Sequence, residues 1–176
     1  MALYEFEGKH PLIPENSFVH PQASVIGEVE LGEGCFIGPG AVIRGDYGRI
    51  VVGRGSNVQD NSVIHADPDS IAIIEDNVII GHGAILHGPC LVKQGAMVGM
   101  GAIVSNGCEL GLGSVLAAGS LLTPGQIIPD HKVALGNPAL IIKDLSDNTS
   151  TYLDMGARLY QELSVRCVKG LKLIPE

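Results

Sequence analysis

Stepping by six, Ile74, Ile80, Leu86, Val92, Val98, Val104, Leu110, Leu116, Leu122, Ile128 and Ala134 are ten aliphatics and an alanine without a slip. An amphipathic helix repeats at 3.6 residues and an ordinary strand at 2. A strict six marks a parallel β-helix, in which short strands stack turn upon turn. Four residues past these aliphatics the side chain is mostly small: Ala84, Cys90, Ala96, Ala102, Cys108, Ser114, Ser120. One large and one small inward position per hexad fill a narrow core. The composition agrees, since 45% of residues are apolar but only 4% aromatic, with no Trp.

The same array begins earlier, at Val19, Val25, Leu31, Ile37 and Ile43, with Ala23, Val29, Cys35 and Ala41 as partners. After Ile43 the next aliphatics in step are Val52, Val58 and Ile64, so three residues are inserted around Asp46-Tyr47-Gly48-Arg49. Four more are inserted between Ile64 and Ile74, at Ala66 to Ser70. Insertions in a solenoid are expected to leave as surface loops, and such loops flank sites. The chain divides into a lead-in (1–18, with Pro11 and Pro14), a β-helix domain (19–143) and a C-terminal segment (144–176). The lead-in reads as one irregular strand capping the open end of the coils. In the last segment Tyr152, Met155, Leu159, Leu163, Cys167 and Leu171 recur at threes and fours. That pattern predicts one amphipathic helix over 149–170, capped by Ser146, Asp147 or Ser150, which docks through this apolar face on the coils or on a neighbour. Gly156 is expected to weaken it slightly.

The 24 glycines are spaced by the hexads and read as corner residues. A formal charge of −8 argues against a nucleic-acid footprint. No stretch approaches the roughly 18–20 apolar residues of a membrane span. Residues 1–10 carry Glu5 and Glu7 and no apolar run, unlike a signal peptide. A soluble, cytoplasmic protein is expected. Cys35, Cys90 and Cys108 fall at small inward positions and Cys167 lies in the C-terminal segment. Without a C-x-x-C these read as packed, reduced thiols.

A triangular coil takes three hexads per turn, so residues three hexads apart stack at the inter-strand spacing of about 4.8 Å. Counting from the leading aliphatics, Ile43, Ile64 and Leu86 lie one coil apart, and Arg44, His65 and His87 each follow by one. They should form a column on one outer face. Asp60 and His82 are each two past Val58 and Ile80 and share the preceding face. Two histidines stacked in this way suit one metal ion. His82 sits on a different side of the triangle, so the simplest completion of a three-histidine site is His82 of a second copy, and a closed ring of such contacts favours a trimer. Three histidines with an open fourth position is a catalytic rather than a structural zinc geometry. A surface histidine is ordinarily just solvated, and a five-residue spacing is not a metal motif by itself, so the count leaves both readings open. His10, His20 and His131 have no partners in it.

Four stretches in order, Val42-Ile43-Arg44-Gly45-Asp46, Asn57-Val58-Gln59-Asp60-Asn61, Val63-Ile64-His65 and Gly81-His82-Gly83-Ala84-Ile85-Leu86-His87-Gly88, resemble the γ-class carbonic anhydrases. The resemblance spans most of residues 10–143. It implies an all-β, left-handed parallel β-helix of hexapeptide repeats with a C-terminal α-helix, assembled as a homotrimer with zinc at its interfaces. Fe2+ or Co2+ are the alternative metals. By this resemblance His65, His82 and His87 are the metal ligands, Arg44 and Asp46 an interface ion pair, and Gln59 and Asp60 lie beside the metal-bound water. The C-terminal part, from Gly136-Asn137-Pro138-Ala139 through Arg166-Cys167, is more similar to the phenylacetate-degradation and carnitine-operon branch. Some members of that branch resemble thioesterases acting on coenzyme A esters.

Two departures matter. Tyr47 stands where the prototype has a glutamate, and the loop after His65 is short and lacks the acidic insertion with its proton-shuttle glutamate, leaving only Asp67 and Asp69. Fast CO2 hydration exports a proton each turn, so slow or conditional activity is expected. The resemblance thus implies a zinc enzyme that directs metal-bound hydroxide at an electrophilic carbon, either CO2 (giving bicarbonate) or an acyl-CoA thioester. The alternatives are a coenzyme A-dependent hexapeptide acyltransferase, which uses a single histidine base and no metal, and a non-catalytic trimeric scaffold with a residual zinc site.

Overall fold

The computed structural model describes residues 2–174. The hexads build a left-handed parallel β-solenoid of about seven turns, followed by one α-helix. Every leading aliphatic from Val25 to Ile128 is at most 3% exposed, and the small partners fill the spaces between them. Each such side chain contributes on the order of 1.5–3 kcal/mol of burial, so the repeat itself is the core.

One face of the triangle is a ladder of strands at 18–19, 36–37, 57–58, 79–80, 97–98, 115–116 and 132–136, all parallel in register. The other two faces belong to a single eleven-stranded sheet, because the strands Ser24–Leu31 and Val42–Val52 run through the corner between them. The strand Ala2–Tyr4 pairs parallel with Ser24–Ile26 beneath the first coil. At the far end Ala139–Asp144 folds back antiparallel on Lys132–Gly136.

The first insertion does not leave as a loop. Residues 44–49 stay within the strand Val42–Val52, and the pairing jumps from Gly27–Gly45 to Val29–Ile50, so that the extra residues ride out as a bulge. Gly45 permits this because a Cβ there would lie 2.5 Å from the Glu28 carbonyl oxygen. The second insertion does form a surface turn, at Asp67 to Ser70.

The C-terminal helix spans Asp147–Gly170, two residues longer at its start than the spacing predicts. Ser146 is the N-cap, its hydroxyl accepting from the Thr149 amide. The docked face also differs from the expected one. Leu153, Ala157 and Ser164 are buried, whereas Tyr152 (70%), Met155 (58%) and Leu159 (63%) are exposed. Small residues win because they let the helix approach the coils: a Cβ on Gly156 would already stand 3.1 Å from Ile79 Cδ1. Among the described residues no helix is long and apolar enough to cross a membrane. Cys35, Cys90 and Cys108 are buried free thiols, and Cys167 is half-buried and free.

Candidate metal centre

Parallel pairing in register puts Arg44 beside His65 and His65 beside His87 on consecutive coils. The two imidazoles meet edge to face, with centroids 5.3 Å apart and planes at 73°. Asp46 sits at the head of this column. Its Oδ1 lies 2.9 Å from His65 Nε2, and its Oδ2 accepts from Arg44 Nη1. Burial works to raise the Asp46 carboxyl, but the hydrogen bonds from Arg44 and His65 and the Arg44 charge outweigh it and hold the group below the usual carboxylate range. Tyr47, exposed at the bulge, packs its ring 5.9 Å from that of His65. Arg44 and Asp46 are therefore paired within one chain.

At the next corner Asp67 Oδ1 faces His87 Nδ1 at 3.8 Å, and its Oδ2 accepts from Asn106 Nδ2 at 3.3 Å. Asp69, in the left-handed region at φ 56°, shapes the turn.

His82 belongs to the other sheet, just past the strand Ile79–Ile80. Its Nδ1 is 2.9 Å from Asp60 Oδ2, and its Nε2 is 3.4 Å from the hydroxyl of Tyr160 on the C-terminal helix. Burial, then the nearby Asp60 carboxylate, raises the Tyr160 phenol above its ordinary range. Gln59 is buried beside this corner, and its amide donates to Asn57 Oδ1 at 3.0 Å.

The structure thus brings Arg44, Asp46, His65 and His87 together, and separately Gln59, Asp60 and His82. Among the described residues no three His, Cys, Asp or Glu side chains of one chain form a metal-holding group. The chemistry of the donors nevertheless fits a metal. His65 and His82 each have a carboxylate 2.9 Å from one ring nitrogen, the arrangement that fixes a ligand's tautomer and orientation, and Asp67 lies 3.8 Å from His87.

Two contributors are absent from the residues singled out in the sequence. Asn106 is two past Val104, as Ala66 is two past Ile64, so the hexad count already places it at the Asp67 corner. Tyr160 lies 78 residues from His82, and no local pattern announces it.

The family description "Bacterial transferase hexapeptide (six repeats)" matches residues 10–45. The carnitine operon protein CaiE of Proteus sp. is 40% identical over 171 residues, covering 97% of this chain and 86% of that protein. Among solved structures, a Bacillus cereus protein provisionally described as an acetyltransferase superposes with a TM-score of 0.93 at 34% identity, covering 95% of this chain and 96% of its own. A hexapeptide transferase family protein from Anaplasma phagocytophilum gives 0.88 at 38% identity, with 93% and 96% covered. With its stacked hexads, its histidine column and these relatives, the chain belongs to the hexapeptide-repeat family, in the γ-carbonic-anhydrase-like branch that includes the carnitine operon protein CaiE.

Proposed function

We propose that this protein is a metal-dependent enzyme of the γ-carbonic-anhydrase type, adding water to the carbon of CO2 or of an acyl-CoA thioester at sites shared between the subunits of a homotrimer. The observation that carries this reading is the in-register stacking of His65 and His87 on adjacent coils, with Asp46 2.9 Å from His65 and Asp60 2.9 Å from His82. A carboxylate at hydrogen-bond distance from one ring nitrogen is the regular companion of a metal-ligating histidine, and the register brings two imidazoles within reach of one ion.

A second feature supports the shared site. Two residues before the histidines, Val42, Val63, Ile85, Ile103 and Leu121 stack in register on the outside of the same face. Ile85 (42%) and Ile103 (38%) are exposed in the single chain. An aliphatic ladder of this kind is the surface a second copy would cover. It would bring a neighbour's histidine corner to the His65–His87 column.

In this reading His65 and His87 of one subunit and His82 of the next hold Zn2+, or Fe2+ or Co2+ in its place. The metal would supply Lewis-acid activation of a water near neutral pH. Asp60 accepts a hydrogen bond from Nδ1–H of His82, which leaves the lone pair of the neutral ring on Nε2. Asp46 fixes His65 and draws Arg44 to the column, while Asn106 steadies Asp67 against His87. Gln59, held by Asn57, offers the remaining amide capacity at the His82 corner, where it would orient a substrate oxygen.

A second reading has its own support. Both solved relatives carry transferase descriptions, and the Asp60–His82 pair is also the arrangement of a general base. It makes the chain a coenzyme A-dependent acyltransferase with His82 as base and no need of His65 or His87. The two separate in one experiment: zinc content per subunit and turnover of CO2, acyl-CoA hydrolysis and acyl transfer, for wild type and His65→Ala. Metal-dependent hydration or hydrolysis lost in His65→Ala supports the first reading. Acyl transfer that is indifferent to chelation and to His65→Ala would overturn it.

A further inference from the structure

The C-terminal helix brings one polar group to the candidate centre, the hydroxyl of Tyr160, 3.4 Å from His82 Nε2. Asp60 at 2.9 Å occupies Nδ1, and a carboxylate can only accept, so in the neutral imidazole Nδ1 carries the proton and Nε2 the lone pair. The phenol O–H is therefore the donor, and it points at the nitrogen that a metal would need.

That hydroxyl is firmly placed. The Tyr160 ring packs at 5.2 Å on Phe36, which stacks at 5.6 Å on Phe18. The next residue, Gln161, donates to the Gly55 carbonyl at 3.1 Å and to Asn77 Oδ1 at 3.0 Å. One turn on, the Ser164 hydroxyl donates to the Cys35 carbonyl at 3.1 Å. Helix, aromatic stack and coil corners thus hold the phenol in place beside the half-exposed imidazole.

We propose that Tyr160 is a cap on His82: in the single chain its hydroxyl covers Nε2, and it yields that nitrogen when a second subunit and the metal complete the site. The proposal rests on the reading of His82 as a ligand. At 3.4 Å the hydrogen bond is at the long, weak end of its range, so it covers the nitrogen without trapping it. The helix then has a role beyond covering one face of the solenoid. It covers the donor nitrogen before assembly and competes mildly with the metal.

The test uses the full chain with 15N-labelled histidine, as wild type, Tyr160→Phe and Gln161→Ala. Phe keeps the stack on Phe36 and loses only the hydroxyl; Ala at 161 loosens the helix and keeps the hydroxyl. In metal-free protein the His82 Nε2 signal is expected to move to lower field in Tyr160→Phe, and by less in Gln161→Ala. In a zinc titration Tyr160→Phe is expected to bind about two- to fivefold more tightly, because a weak competitor has gone. An Nε2 signal identical in wild type and Tyr160→Phe overturns the cap, as does equal or weaker zinc binding by Tyr160→Phe. If wild type takes up no zinc, the reading of His82 as a ligand fails, and the nitrogen signal alone decides whether Tyr160 caps it.

Discussion

His65 and His87 are direct Cα partners on adjacent parallel strands, and their rings meet edge to face with centroids 5.3 Å apart. Parallel pairing in register gives neighbouring coils no freedom to slide, since a slip of one residue would send Ile64 and Leu86 out of the core. The spacing of the two imidazoles is therefore set by the fold, and what remains adjustable is the rotation of each ring. Asp46 sets it for His65. Asp46→Asn keeps the shape but removes the charge that holds both His65 and Arg44. Zinc affinity is expected to fall about 10–100-fold with the fold intact. Calorimetric titration beside far-ultraviolet circular dichroism checks this; an unchanged dissociation constant in a folded variant counts against it.

Metal and assembly should be linked. If the ligands are divided between subunits, neither half binds well alone, and zinc stabilises only the assembled form. Chelation is expected to lower the thermal midpoint and to shift sedimentation toward smaller species. At free zinc about 100 times the dissociation constant the stabilisation should be about 2.7 kcal/mol per site. A monomer that still binds one zinc per chain tightly would contradict the division.

Much of this arrangement is legible in the sequence because a β-helix is a counting device. Stepping by hexads places Ile43, Ile64 and Leu86 in one stack, and with them Arg44, His65 and His87, and the strand register agrees at each step. The count fails where backbone geometry replaces periodicity. Residues 46–49 stay in a strand because Gly27 and Gly45 let two chains approach, which a rule about insertions does not foresee. It also fails for the helix. Spacing at threes and fours marks several stripes on a 24-residue helix, and the stripe used is the one with Gly156, Ala157 and Ser164 small enough to approach the coils. Tyr160 reaches His82 only as a result of that docking, so no reading of either segment alone contains it.

The three inward cysteines should be inert in the folded protein. Burial pushes the Cys35 thiol up to about 11, and burial followed by the neighbouring Cys108 pushes Cys90 to about 12; burial also raises Cys108. The thiolate is the reactive form, so labelling at pH 8 is expected to be confined to Cys167 until the chain is unfolded. The sign of the linkage follows. The unfolded thiols ionise first, so this part of the stability is whole below about pH 8.5 and is lost as pH rises toward the folded values. Denaturant midpoints between pH 8 and 11 should fall, and fall less in Cys90→Ala. Replacing Cys108 by Leu, under the Thr123 carbonyl and beside Cys90, overpacks the coil and should cost about 1–3 kcal/mol. Rapid native labelling of all three thiols would show that the inward register is wrong.

The division of the site can be tested without knowing the substrate. His65 and His87 lie in the eleven-stranded sheet, and His82 follows a strand of the other sheet. Two variants, His82→Ala and the double His65→Ala/His87→Ala, each lose part of the ligand set from every site when assembled alone. Both should retain little zinc. Mixed under conditions of subunit exchange, they form assemblies in which some interfaces join an intact His65–His87 column from one chain to an intact His82 from another. With random mixing into trimers at equal amounts, about a quarter of the interfaces would be complete, since each of the two required chains is present with even odds, and zinc content should rise to about that fraction of wild type. Carboxylate partners come along in the same chains: Asp46 and Asp67 with the column, Asp60 with His82. A site built inside one chain has no such route to repair, because every chain in the mixture still lacks a ligand. Zinc that stays at the level of the separate variants, in a mixture shown by mass to have exchanged subunits, would therefore exclude the shared site.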